Sequence, residues 1–189
     1  MKNYRWSWQL PSDKLYQVRD YLHADRINSF LHTKIIERLE SHSIGDFGIE
    51  NTYRGTCWDL HKKGIKEVDL ILDWILALLP EVSEDLLPDP HTYHSYWNSQ
   101  GFKIESTWGI SYKKNDRLLP HSHYPFALSF VYVVNLPKGS RVPLLVEGRK
   151  VYLKEGQCAF FLSSKIHGVG RNSVDGRCII AGDTSYRPS

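Results

Sequence analysis

Cysteine is scarce: the 189-residue chain has three, Cys57, Cys158 and Cys178. An odd number at wide spacing suits neither a disulfide framework nor a Cys-rich zinc site, so reduced thiols and a cytoplasmic setting are expected. Runs of positive charge are missing too. The 24 Lys and Arg are spread against 21 Asp and Glu, giving +3, with no cluster of four or more. That balance gives no reason to expect a nucleic-acid partner. Long apolar runs are also absent. The most apolar segment, Ile71 to Leu79, is interrupted by Asp73, and the opening MKNYRWSWQL has no apolar signal-peptide core, so no membrane association is expected. No repeat, linker or low-complexity stretch divides the chain. What remains is an ordinary globular composition, 41% hydrophobic and 13% aromatic, in one domain spanning residues 1–189.

The hydrophobic period changes partway along. Tyr4, Trp6 and Trp8 alternate as on a half-buried edge strand. After Ser12-Asp13, Leu15, Val18, Tyr21 and Leu22 recur at helical spacing, and Ile27 to Leu39 continue it, as two helices or one interrupted near Ala24-Asp25. A short strand is expected within Thr52 to Trp58. Ile65 to Leu79 has one apolar stripe, Val68, Ile71, Leu72, Ile75 and Leu79, and reads as a helix closed by Pro80. From Lys103 the chain turns to short β-branched and aromatic runs with tight-turn signals at Pro137-Lys138-Gly139, Glu147-Gly148-Arg149 and Lys154-Glu155-Gly156. Strands are expected at Ile104–Lys113, Leu128–Leu136, Leu144–Glu147, Lys150–Leu153, Gln157–Leu162 and Arg177–Asp183. Without intervening helices these form an antiparallel sandwich or barrel. The fold class is therefore α+β, mainly β. Residues 1–102 form helical and loop support, and 103–185 form a barrel core with the helices packed outside.

Three histidines carry the chemistry. His121 and His123 stand two apart, so on a strand both project to one face, and imidazoles so placed offer two ligands to a divalent ion. His167 follows in a strand-then-loop setting, and an antiparallel barrel can bring it beside them. Ten residues further on, Arg177 opens an apolar strand, where a guanidinium needs a partner. A ligand carboxylate would serve. Purely structural roles are open as well: the histidines can bond loop carbonyls at a barrel mouth, and Arg177 can pair with Glu105 or Asp183. His23, His32 and His42 read as ordinary surface or core residues, and His91-x-x-His94 lacks a clear third ligand.

The run from Glu105 to Asp183 resembles the double-stranded β-helix core of the Fe(II)- and 2-oxoglutarate-dependent oxygenases, the prolyl-hydroxylase-like members above all. The matching features are the His-x-His pair, an apolar strand ending near Tyr-Val, a Gly turn before Phe160-Phe161, the distal His167 and Arg177. The resemblance implies a jelly-roll, cupin-like barrel with Fe(II) held by His121, His123 and His167. It implies 2-oxoglutarate as cosubstrate on Arg177, with Tyr112 and Tyr132 as hydroxyl donors to it, and O₂ as the oxidant. The substrate, a protein side chain or a small metabolite, is not specified. One departure is that the usual pattern has a carboxylate where His123 stands, leaving no protein charge among the ligands. Two further readings stay open. One is a three-histidine cupin-type dioxygenase not using 2-oxoglutarate, although the usual cupin Glu is missing near Leu128-Ser129. The other is a barrel that binds a metal or small ligand without turnover.

Overall fold

A computed structural model describes residues 14–41, 54–86 and 99–188. Along them run β1 (Gln17–Asp20), α1 (Ala24–Ser41), β2 (Arg54–Gly55), a 3-10 turn (Leu60–Lys62) and α2 (Lys66–Leu86). The barrel strands follow as β3 (Ser99–Tyr112), β4 (Leu118–His121), β5 (Leu128–Asn135), β6 (Leu144–Val146) and β7 (Arg149–Val151), then β8 (Gln157–Leu162), β9 (His167–Val169) and β10 (Arg177–Pro188). They make two antiparallel sheets, six strands in the order β1-β8-β5-β10-β3-β2 and four in the order β4-β9-β6-β7. The expected strand at Tyr4 to Trp8, and His42, His91 and His94, lie outside the described residues.

The central strands of the larger sheet are apolar on both faces because both are covered. On β5, Leu128, Phe130, Tyr132 and Val134 pack toward the helices, while Val131 and Val133 face the smaller sheet. The same parity runs through β8, with Phe160 outward and Phe161 inward, and through β10, with Ile180 outward and Ile179 inward. This explains an unbroken run such as LSFVYVV, which has no polar face to show. Burying one such side chain contributes ~1.5–3 kcal/mol, and Phe160→Ala would cost about 3–5 kcal/mol through the void it leaves.

Helix α2 lays its stripe on the outside of the six-stranded sheet, as the sequence indicates, but it does not stop at Pro80. It continues to Leu86, with Val82 and Leu86 buried in the same core. Proline removes one helical hydrogen bond, yet Val82 and Leu86 extend the buried stripe at helical spacing, and the Ser83 hydroxyl donates to the Pro80 carbonyl at 2.8 Å. A second correction concerns Leu15 to Leu22. Gln17–Asp20 is a strand paired with β8, and Leu15 and Val18 pack against the inner core. Its helical spacing is overridden by sheet pairing with residues some 140 positions away. Among the described residues, no helix is long and apolar enough to cross a membrane.

Candidate metal centre

Strands β4 and β9 pair antiparallel with His121 directly opposite His167. Gly168 permits the approach. A Cβ there would lie 2.8 Å from the Leu118 carbonyl oxygen and 3.1 Å from the Pro120 nitrogen, so any side chain would push β4 away. His167 opens β9 itself and does not sit in a loop, while His123 lies just past the end of β4. The His123 N–H donates to the Ser163 carbonyl at 2.8 Å, which fixes that turn against the end of β8.

The three rings gather at centroid separations of 4.8 Å (His121 and His123), 4.4 Å (His121 and His167) and 4.9 Å (His123 and His167). One nitrogen from each lies within 4.8 Å of the other two. The opposite ring edges are occupied. His121 Nδ1 meets the Leu119 carbonyl at 2.8 Å, His167 Nδ1 the Lys165 carbonyl at 3.1 Å, and His123 Nδ1 the Asp183 Oδ1 at 2.8 Å. Carbonyls and carboxylates only accept, so each Nδ1 carries the hydrogen and each Nε2 keeps its lone pair for a metal. Burial, helped by the neighbouring His121, pushes His167 down to about 4. Burial first, then the charge of His123, also lowers His121. Both are therefore neutral at neutral pH, as metal ligands must be.

The histidines line a cavity of about 230 Å³, with Trp58, Trp108, Tyr112, Phe161 and Ile179 among its other walls. Trp58, 41% exposed, packs edge-on to Trp108 at 4.4 Å, and Trp108 lies 5.5 Å from His123. Sequence reading missed this aromatic pair, because Trp58 sits in a loop that only the fold brings to the cavity.

Arg177 starts β10 opposite Tyr112, on the inward parity shared with Ile179 and Ala181. It is 1% exposed, with its guanidinium carbon 5.6 Å from the Tyr112 ring centre. It donates through Nη1 to the Val142 carbonyl at 3.1 Å, while Nε is buried with no hydrogen-bond partner. Neither expected structural partner takes it. Glu105 pairs with Lys103 at 2.8 Å, and Asp183 is held by His123 and by serines. Burial lowers the guanidinium from its ordinary value, with Tyr112 opposing the shift.

Tyr112 and Tyr132 separate. Tyr112 is a wall of the cavity. Tyr132 is not brought to it: the even parity of β5 turns it toward α1, where its hydroxyl donates to Asn28 Oδ1 at 2.7 Å. Burial there raises its pKa. The structure also supplies a residue the sequence suggested only as a partner for Arg177. Asp183, 3% exposed, accepts from Ser129 Oγ at 2.7 Å and Ser106 Oγ at 3.2 Å besides meeting His123. Its signal was parity, since 177, 179, 181 and 183 share the inward face of β10.

No protein-family model matches the sequence, and no curated protein is detectably similar to it. Solved structures are similar in fold. The viral collagen prolyl hydroxylase of Paramecium bursaria Chlorella virus-1, in a 2-oxoglutarate complex, aligns over 94% of this chain and 98% of its own at TM-score 0.67 and 13% identity. A Pseudomonas putida prolyl-4-hydroxylase aligns over 94% of both chains at TM-score 0.64 and 14% identity. The non-haem alpha-ketoglutarate-dependent epimerase SnoN of nogalamycin biosynthesis covers 92% of this chain and 81% of its own at TM-score 0.64 and 17% identity. SnoN also has a structure with Fe3+ and alpha-ketoglutarate. The fold defined by the two sheets is thus the double-stranded β-helix of the iron- and 2-oxoglutarate-dependent oxygenases. Prolyl hydroxylases are among its structural neighbours, and the likeness runs over nearly the whole chain.

Proposed function

We propose that this protein is an Fe(II)- and 2-oxoglutarate-dependent dioxygenase that hydroxylates a protein side chain or small metabolite. The observation that carries the proposal is a pair of unmet demands, one on the wall of the cavity and one against Tyr112, another of its walls. Three imidazoles gather their nitrogens, two of them held neutral by burial, and a buried arginine has no anion among the described residues. A 2-oxo dicarboxylic acid answers both, one end at the metal and the other at the guanidinium.

His121, His123 and His167 would hold the iron. Bound iron and 2-oxoglutarate supply the activation of O₂ and the oxidising equivalent for hydroxylation. The carbonyls of Leu119 and Lys165 and the Asp183 carboxylate fix the ring orientations, so the donors are set before metal arrives. Arg177 takes the C5 carboxylate, and the Tyr112 hydroxyl lies buried beside it as a further contact. The apolar walls exclude water from the reacting region. Trp58, half exposed on the cavity wall, would meet a substrate approaching the histidines.

A three-histidine cupin-type dioxygenase without 2-oxoglutarate is the second reading, favoured by the all-imidazole donor set. Arg177 separates the two. Anaerobic addition of 2-oxoglutarate to the Fe(II) protein should raise a visible metal-to-ligand charge-transfer band, and Arg177→Ala should weaken it at least tenfold in 2-oxoglutarate affinity while iron stays bound. Iron binding with no band and no calorimetric heat from 2-oxoglutarate would assign the protein to the second reading.

A further inference from the structure

We infer that Asp183 is a positioning residue that makes His123 the most electron-rich donor of the metal centre, placing behind it, through one hydrogen bond, the charge that no metal-facing side chain carries. The inference rests on the metal-binding reading above. Its basis is an asymmetry among the three histidines. His121 and His167 are backed by neutral backbone carbonyls, Leu119 at 2.8 Å and Lys165 at 3.1 Å. His123 alone is backed by a carboxylate, Asp183 Oδ1 at 2.8 Å. A carboxylate behind an imidazole fixes its tautomer, increases the electron density on the far nitrogen and strengthens the metal bond.

The carboxylate is itself held from several sides. Ser129 Oγ donates its one hydrogen to Asp183 Oδ1, so in the 2.8 Å contact between Ser129 and Ser163 it is Ser163 that donates. Ser106 Oγ holds the other carboxylate oxygen. The Ser163 and Ser129 hydroxyls thus donate in sequence toward Asp183, and the His123 ring N–H donates to it from the other side, so all donors converge on the carboxylate. Ser129, Ser163 and Asp183 are all nearly inaccessible, where water screens little. The same Ser163 accepts the His123 N–H with its carbonyl, so one residue fixes both the backbone and the polarity of this ligand. The pairing of β10 with β3 shifts register at Asp183/Thr184 because β3 carries an extra residue there, Glu105, while β10 stays regular against β5 and keeps Asp183 on its inward face.

Asp183→Asn tests the role, because the amide keeps the shape and can still accept from His123 while the charge is lost. Co(II) serves as an air-stable probe, followed by its visible absorption and by calorimetry. Asp183→Asn should bind Co(II) about 10- to 100-fold more weakly than wild type and alter the visible spectrum. In a His123→Ala background, adding Asp183→Asn should change the affinity less than twofold. Ser129→Ala, which leaves the carboxylate in place, should weaken Co(II) binding by a smaller factor and keeps the test open if the asparagine variant does not fold. Wild-type affinity and spectrum in a folded Asp183→Asn protein overturn the role. Equal losses with and without His123 overturn it as well, because Asp183 would then act only on the fold. A wild-type protein that binds no Co(II), Fe(II) or Zn(II) overturns the metal reading and this role with it.

Discussion

Lowering the pH should destabilise the metal-free protein in part through one identifiable side chain, His167. His167 is 4% exposed, and burial, together with the neighbouring His121, brings it from the ordinary 6.5 to about 4 in the folded chain. The folded pKa lies below the unfolded one, so between these values the unfolded chain binds more protons, and stability falls as pH falls. The contribution is intact above pH 6.5, is lost progressively from 6.5 toward 4, and changes no further once both states are protonated. At pH 4.5 the loss from a shift of this size is roughly 2.5 kcal/mol, a large share of a typical stability of about 5–15 kcal/mol. Urea unfolding of chelator-treated wild type and His167→Gln at pH 7 and pH 4.5 isolates the effect. The wild type should lose about 2.5 kcal/mol more than the variant between the two pH values, and saturating metal should make its acid transition sharper, because a bound ion excludes the proton. Equal losses in both proteins would show that the ring is hydrated or freely rotates out of its pocket, and the reasoning from burial would fail.

Two further outcomes separate the faces of the sheet. Tyr132→Phe removes the donor to Asn28 beneath α1 and should cost about 1–3 kcal/mol in urea unfolding, while leaving 2-oxoglutarate binding unchanged. A weakened charge-transfer band at unaltered stability would return Tyr132 to the cavity. Gly168→Ala places a Cβ 2.8 Å from the Leu118 carbonyl oxygen, so β4 must shift and carry His121 out of line with His167. Co(II) affinity should drop at least about tenfold, and a wild-type titration curve would mean that the strand pair yields without moving its ligands.

The larger sheet was legible because its strands bury both faces: the apolar runs at Leu128, Gln157 and Arg177 can do little else in a chain with tight-turn signals between them. Of the smaller sheet, β6 and β7 were legible as the expected strands at Leu144 and Lys150, but β4 and β9 were not. β4 and β9 are four and three residues long, carry histidines, and owe their strand geometry to the cross-strand pair His121 and His167 more than to any local preference. Leu15 to Leu22 was misleading for a similar reason, since a four-residue strand takes its conformation from β8 and its apolar residues fit a helical spacing equally well. Within the site, spacing was enough to select the three histidines and Arg177. Tyr132 needed parity, and β5 shows none in its sequence because both faces are apolar. Asp183 needed the partner it has: its inward phase on β10 was readable, but only the fold shows that it backs His123 and leaves Arg177 without an anion among the described residues.

Arg177 and Asp183 sit six residues apart on one face of the same strand, and this gives the inner face of β10 a built-in electrical direction. At ~3.3 Å per residue their Cα atoms stand roughly 20 Å apart along β10, the positive residue where the strand begins and the negative one near its middle. A guest with a diffuse or single charge gains little from such an axis. One whose negative charge is concentrated at the end remote from the histidines is held in a single orientation. Because one strand carries both poles, a slip of β10 by one residue would reverse the facing of both at once. The polarity of this face is therefore inherited from strand register, and it should persist through sequence change in the loops as long as β10 keeps its pairing with β3 and β5.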